Sequence, residues 1–202
     1  MEERVERALT SLQKNGFSAL FFATGAEAAA WLTEQMSPGQ LAAFGGSETL
    51  KDIGLAEKLR AKGIDVLDFW AVPIEERRCA FLRSLDADAY FCSANAVTEN
   101  GYYFNVDGMG NRTASTIYGP RRLFIVAGIN KLVADENAAV KRSEIAGPKN
   151  CQRMGTKAPC AADGVCHDCA SPDRACRVYV LTKRPARTVD TTILLVGEEL
   201  GY

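Results

Sequence analysis

Short apolar runs alternate with helix-length amphipathic stretches through the first ninety or so residues, and this alternation limits the fold more than any other feature. SALFFAT, LAAFG, IDVLDFW and DAYFCSAN read as strands. Between them, GAEAAAWLTEQM, GGSETLKDIGLAEKLRAKG and IEERRCAFLRSL carry apolar residues at helical spacing. Met1 to Lys14 precedes the first strand as a helix with Val5, Ala8, Leu9 and Leu12 on one face, and Asn15-Gly16 ends it. Strands separated by helices predict βαβ units and a mostly parallel sheet flanked by helices, an α/β fold.

The pattern changes after Asn95. AVTENGYYFNVDGMGNR holds an Asn-Gly and an Asp-Gly between apolar residues, which predicts a β-hairpin. RRLFIVAG is a strongly apolar strand, and ENAAVKRSEIAG is a helix expected to end at Gly147-Pro148. From Lys149 to Arg177 no periodicity survives, and RVYVLTKR and TTILLVGEEL close the chain as two strands. The aperiodic stretch interrupts a fold that resumes after it. The expectation is one domain over residues 1–202 with a cysteine-rich insertion at about 151–177. Trp31, Trp70, Cys79 and Cys92 sit in apolar contexts and are expected in the core.

Composition narrows the class of partner. A formal charge of -1 gives no footprint for nucleic acid, and no apolar run approaches the ~20 residues of a membrane span. The start, MEERVERALTSLQKNGF, has acidic residues and no apolar core of a signal peptide, so the expected location is the cytoplasm. There, thiols stay reduced, and clustered cysteines bind metal or do redox work more often than they form disulfides. A homo-oligomer is compatible with this composition.

Two stretches offer a binding site. FGGSETLKDIGL places Gly45, Gly46, Ser47 and Thr49 between a strand and a helix, a geometry that binds phosphate or carboxylate through free N–H groups. An ordinary helix cap explains the same residues. SANAVTENGYYFNVDGMGNR holds Ser93, Asn95, Thr98, Glu99, Asn105, Asp107, Asn111 and Arg112 near a carboxyl edge of the sheet, where ligands bind in open α/β folds. In one reading Glu99 or Asp107 is a general base and Arg112 grips an anion with two hydrogen bonds. In the other, these side chains form a network that stabilises an irregular loop. Lys131, at the end of FIVAGINK, either pairs with an anion or is solvated.

The insertion holds the densest chemistry. In APCAADGVCHDCASPDRAC, Cys160, Cys166, Cys169 and Cys176 fall within seventeen residues at C-x5-C-x2-C-x6-C spacing. Four thiolates suit tetrahedral zinc and equally suit an iron–sulfur cluster; the spacing does not choose between them. His167 lies between two of them and reads as a neighbour, although a site of three cysteines and this histidine stays open. Cys151 stands apart. No nicotinamide or flavin fingerprint is present: GxGxxG and the P-loop lysine are both absent.

FGGSETL, SANAVTENG, NVDGMGNR, GINK and the cysteine loop followed by VGEELGY together resemble the LUD (lactate utilisation) domain family, nearly end to end. That resemblance implies a NagB/RpiA/CoA-transferase-like fold. SANAVTENGYYFN is also similar to the hairpin of methylthioribose-phosphate isomerases, which opens Gly-Ala-Asp; here Ser93-Ala94-Asn95 stands in its place, and the isomerase acid is missing. The resemblance implies a component of lactate or related organic-acid oxidation, with a redox cluster in the cysteine loop and partner subunits of an oxidoreductase. The alternative is a ligand-binding or sugar-phosphate-processing protein of the same fold in which the metal is a staple. On either reading, Gly46, Ser47, Thr49, Asn95, Asn111, Arg112 and Lys131 are the candidates for holding a small organic acid or phosphorylated ligand.

Overall fold

The apolar runs become neighbouring strands in a computed structural model that describes residues 3–202. Met1 and Glu2, with which the expected first helix begins, lie outside the described residues. In chain order the first half runs α1 Glu3–Lys14, β1 Ser18–Phe22, α2 Gly25–Glu34, β2 Leu41–Phe44, α3 Glu48–Asp52, α4 Leu55–Ala61, β3 Asp65–Asp68, α5 Arg77–Ser84 and β4 Ala89–Cys92. The second half runs β5 Ala96–Thr98, β6 Tyr103–Asp107, α6 Asn111–Ile117, β7 Arg122–Gly128, β8 Leu132–Val133, α7 Glu136–Met154, α8 Pro159–Asp163, β9 Val178–Thr182 and β10 Asp190–Val196.

Six strands form one sheet in the order β1-β10-β7-β4-β2-β3, every pair parallel. Because side chains alternate across a strand, β7 sends Leu123, Ile125 and Ala127 to one face and Phe124 and Val126 to the other. The second face packs on α2, α3 and α4 through Ala28, Leu32, Leu50, Leu55 and Leu59. Phe91 anchors it, stacked between Phe44 and Phe124 with ring centroids 5.3 and 5.1 Å away. The first face packs on α1 through Val5, Ala8 and Leu12, and on Val97, Tyr103 and Leu132 of a second sheet.

That second sheet, in the order β8-β5-β6-β9, was not anticipated. The expected hairpin forms its centre: β5 and β6 pair antiparallel around Asn100-Gly101. Gly101 has φ +83°, and a Cβ there would stand 2.4 Å from the backbone of Ser11, so the turn docks on α1 only as glycine. β9 pairs with β6, not with β10, and α7 covers the far side through Ala139 against Ala96 and Phe104.

Four local expectations need correction. The helix after Glu136 continues through Gly147-Pro148 to Met154. An interior proline costs roughly 3 kcal/mol, but the helix buries Pro148 itself and, beyond the expected stop, Cys151, and that burial offsets the cost. The helix of GGSETLKDIGLAEKLRAKG is two, divided at Ile53-Gly54. Asn111–Ile117 is helical and α8 lies inside the cysteine loop, both unforeseen. Cys79 is exposed on α5, and Trp70 is 40% exposed. Cys92 is buried as expected. Among the described residues, no helix is long and apolar enough to cross a membrane.

Phe91→Ala removes the ring that both neighbours stack on, and should destabilise the protein by about 3–5 kcal/mol in urea unfolding. A loss below about 1 kcal/mol would show that this face does not carry the core.

Candidate active site

The sheet order puts β10, β7, β4 and β2 side by side, and all four carboxyl ends open on one edge. A cavity of about 120 Å³ lies there. Gly46, Ser47 and Thr49 follow β2, Ser93 and Asn95 follow β4, Lys131 follows β7, and Tyr202 comes from the tail after β10. Arg112 of α6, Cys151 of α7, Tyr179 of β9 and loop residues Cys160, Cys166 and Cys176 complete the wall. The groups expected to bind an anion, Asn111 excepted, and three of the four clustered cysteines therefore border one space.

Lys131 is the floor's most unusual group. It is 5% exposed, and its Nζ donates to Thr49 Oγ1 at 2.7 Å and to Ser93 Oγ at 2.9 Å. Burial, then the nearby cations Arg142 and Arg112, push its pKa down to about 7. The chain's end closes over it. Leu200 exchanges hydrogen bonds with the Asn130 side chain, Thr49 Oγ1 donates to Leu200 O, and Gly201 N donates to Asp52 Oδ2. Gly201 has φ +61°, and a Cβ there would meet Thr49 Oγ1 at 2.7 Å and Lys131 Nζ at 3.2 Å. Sequence reasoning missed this role of the tail, although the Gly-Tyr ending of VGEELGY was its signal.

Arg112 is placed at the cavity but engaged by the protein. Nη1 donates to Ser93 O at 2.9 Å and Asn105 Oδ1 at 2.6 Å, and Nη2 donates to Asn95 Oδ1 at 2.9 Å and Val106 O at 2.7 Å. Its two terminal nitrogens make the network of the second reading of this stretch, with the positive charge behind the wall. Asn105 is fully buried, and its Nδ2 has no hydrogen-bond partner.

The glycine turn has a steric reason of its own. A Cβ at Gly45 would stand 2.7 Å from Tyr90 Oη and 3.1 Å from Arg112 Cγ; one at Gly46 would stand 2.0 Å from Trp70 Nε1. Ser47 Oγ accepts from Leu50 N and caps α3. Gly46, Ser47 and Thr49 nonetheless line the cavity.

Both proposed bases lie elsewhere. Glu99 sits at the far end of the hairpin, where Arg4 Nε and Arg7 Nη2 reach its carboxylate at 2.6 and 2.8 Å and hold its pKa below the usual range. Asp107 spends its oxygens on Met109 N and Thr113 N, fixing the turn into α6. With Asn111 it borders an adjoining cleft beside Trp70.

The cysteine loop is organised by arginines. Arg174 donates to Cys169 O and Cys176 O and pairs with Asp168; Arg177 donates to Pro172 O and Arg174 O. Asp168 takes φ 43°, turning the chain between Cys166 and Cys169. Burial, then a hydrogen bond with Cys151, raise the Cys160 thiol to about 11, and Cys169 and Cys176 add to the shift. Cys151, set apart in the sequence, is thus the neighbour of Cys160. Among the described residues, no three His, Cys, Asp or Glu side chains converge closely enough to hold a metal ion. His167 instead contacts Asp163 Oδ2 at 2.7 Å.

Arg112→Ala would remove one hydrogen bond from each of four acceptors, of which Asn95 Oδ1 and Asn105 Oδ1 keep a backbone donor, and should cost about 2–4 kcal/mol of stability. Arg112→Lys should recover only part, because an ammonium cannot span the planar set. Chemical unfolding reads both, and an alanine variant as stable as wild type would show that these bonds brace nothing.

The sequence model of the LUD domain matches residues 5–196. A DUF162 family protein from Deinococcus radiodurans has a similar structure, with TM-score 0.58 and 14% identity over 96% of this chain and 97% of that one. eIF2B beta from Chaetomium thermophilum is 17% identical over 59% of this chain and 42% of that one, at a TM-score of 0.40 that carries no weight. No curated protein matches. The Deinococcus structure shows a shared α/β fold, and the end-to-end domain match shows that the chain belongs to the LUD domain family.

Proposed function

We propose that this protein is a component of lactate or related small organic-acid oxidation, binding the acid as an anion in the cavity beside an iron–sulfur cluster or zinc held by Cys160, Cys166, Cys169 and Cys176. One observation carries the reading. Ser47, Thr49, Asn95 and Lys131 line the same cavity as Cys160, Cys166 and Cys176. The family is broadly linked to lactate utilisation, and the volume supports the substrate class. About 120 Å³ is well below the several hundred Å³ typical of larger ligands. It suits an acid of lactate size better than a sugar phosphate.

The donor set fits a thiophilic group in its chemistry. All four candidates are sulfur, and Cys160 senses Cys169 and Cys176 as well as Cys151. Their positions are more open than a bound ion requires, so loading would draw the loop together and expel thiol protons. A bound cluster would supply one-electron transfer, and zinc a fixed cross-link. The remaining residues do the binding. Lys131 meets the acid with its Nζ, Asn95 and Ser47 border it with polar groups, and Arg112 places a permanent charge behind the wall.

Metal analysis of protein purified without oxygen tests the thiol set. A brown protein containing iron and sulfide supports the redox reading; a colourless zinc protein supports the staple. Serine at any of the four cysteines should lower metal content several-fold, while Cys79→Ser, on the exposed side of α5, should leave it unchanged. Full occupancy in two of the quartet variants would sink the assignment.

A further inference from the structure

We propose that Lys131 is the proton-exchanging group of the cavity, above neutral pH an uncharged amine while the cavity is empty and an ammonium once a small oxyanion is seated. This rests on the anion pocket proposed above and specifies how that pocket recognises charge.

The argument is one of hydrogen-bond valence. Ser93 Oγ directs its proton to Ala94 O, and Thr49 Oγ1 directs its own to Leu200 O. Both hydroxyls therefore present lone pairs to Lys131 Nζ, which donates one N–H to each. Two donors are all that a neutral amine has. The third tetrahedral position of Nζ carries either a lone pair or an additional N–H. Among the described residues Nζ makes no third hydrogen bond, and no carboxylate forms a salt bridge with it. The protein thus satisfies the amine completely and leaves the ammonium one partner short. A carboxylate or phosphate oxygen in the cavity would supply that partner.

The surrounding charges favour the same exchange. Arg142 from α7 and Arg112 from α6 oppose a further positive charge, while Asp52 from α3 and Cys92 from β4 favour it. Asp52 already accepts from Gly201 N, Arg142 is occupied donating to Asn130 O and Asn95 O, and Cys92 is a buried thiol whose own pKa is pushed up to about 12 by burial. With these groups engaged, the amine sits near 7 and is poised to take up a proton when an anion arrives.

The sign follows. An anion stabilises the ammonium and raises its pKa, so between the empty and filled values each binding event takes up one proton from solvent. Affinity should be flat below about pH 6 and fall roughly tenfold per pH unit above about pH 7.5.

Two measurements on the wild-type protein test this. In protein carrying 13Cε-labelled lysine, one resonance should titrate near 7 with no anion present. Titration of every lysine near its ordinary value overturns the proposal. Calorimetry with L-lactate, pyruvate and inorganic phosphate, in buffers of different ionisation enthalpy, counts protons. Uptake approaching one proton above pH 8, vanishing below pH 6, is the expected result, and binding without uptake overturns it. The three probes also separate carboxylate from phosphate recognition. Lys131→Arg, with its permanent charge, should lose the pH dependence of any binding it retains. If none of the probes binds while one lysine still titrates near 7, the pocket reading and the anion half of this proposal fall together, and the neutral amine alone stands.

Discussion

One guanidinium joins the two sheets at the point where the cavity forms. Arg112 leaves α6 and reaches Ser93 O, behind the large sheet, and Asn95, Asn105 and Val106, in and beside the small one. A charge taken from water must have its donors met, and its terminal N–H groups are aimed at four oxygens. The network closes on itself, because Asn95 Oδ1 also accepts from Val106 N and Asn105 Oδ1 from Asn95 N. The missing Cβ at Gly45 leaves room for the arginine stem and Tyr90 Oη at the exit of β2. Hairpin, central strand and glycine turn are thus held in one arrangement, and the cavity floor inherits their geometry.

Parallel pairing explains why separate parts of the chain meet there. Four adjacent strands deliver their following residues to the same edge. The return of the chain through β9 and β10 then brings the cysteine loop and the last three residues to that edge. A strand added to the small sheet anchors one end of the loop, since β9 pairs with β6. The long α7 anchors the other, and it brings Cys151 to Cys160. A helix ending at Gly147, as the proline suggested, would have left Cys151 in the loop.

Alternating apolar runs made the large sheet legible, since strands buried on both faces can have no other pattern. The hairpin was legible from Asn-Gly for an equally local reason. The second sheet was not, because β8 is only two residues long and β9 exposes Val178 and Tyr179, so neither carries a burial signature. Among the candidate residues, Gly46, Ser47, Thr49, Asn95, Arg112 and Lys131 do converge, as strand-end placement implied. Glu99 and Asp107 do not, since side-chain type alone cannot show that an acid faces Arg4 and Arg7 or caps a helix. The role of the tail left only a faint signal, the Gly-Tyr ending, for the opposite reason. Gly201 contributes by having no side chain.

Charge balance connects the two halves of the site. Thiolates gathered around zinc or a cluster would carry net negative charge, and an organic acid placed beside them would be repelled at short range. Such a neighbour is tolerable only if the opposite wall is cationic and cannot relax away. Arg112 and Arg142 meet that need with charges fixed by backbone and amide acceptors. Neither has a carboxylate partner among the described residues, and of the two carboxylates that line the cavity, Glu48 and Glu144, Glu48 is paired with Lys51 and Arg153. The same two cations disfavour a third charge at Lys131 until an anion arrives. On the proposed reading, permanent arginines and a titrating lysine would serve different ends: the first would make the cavity attractive to an acid, and the second would make its occupation depend on a proton.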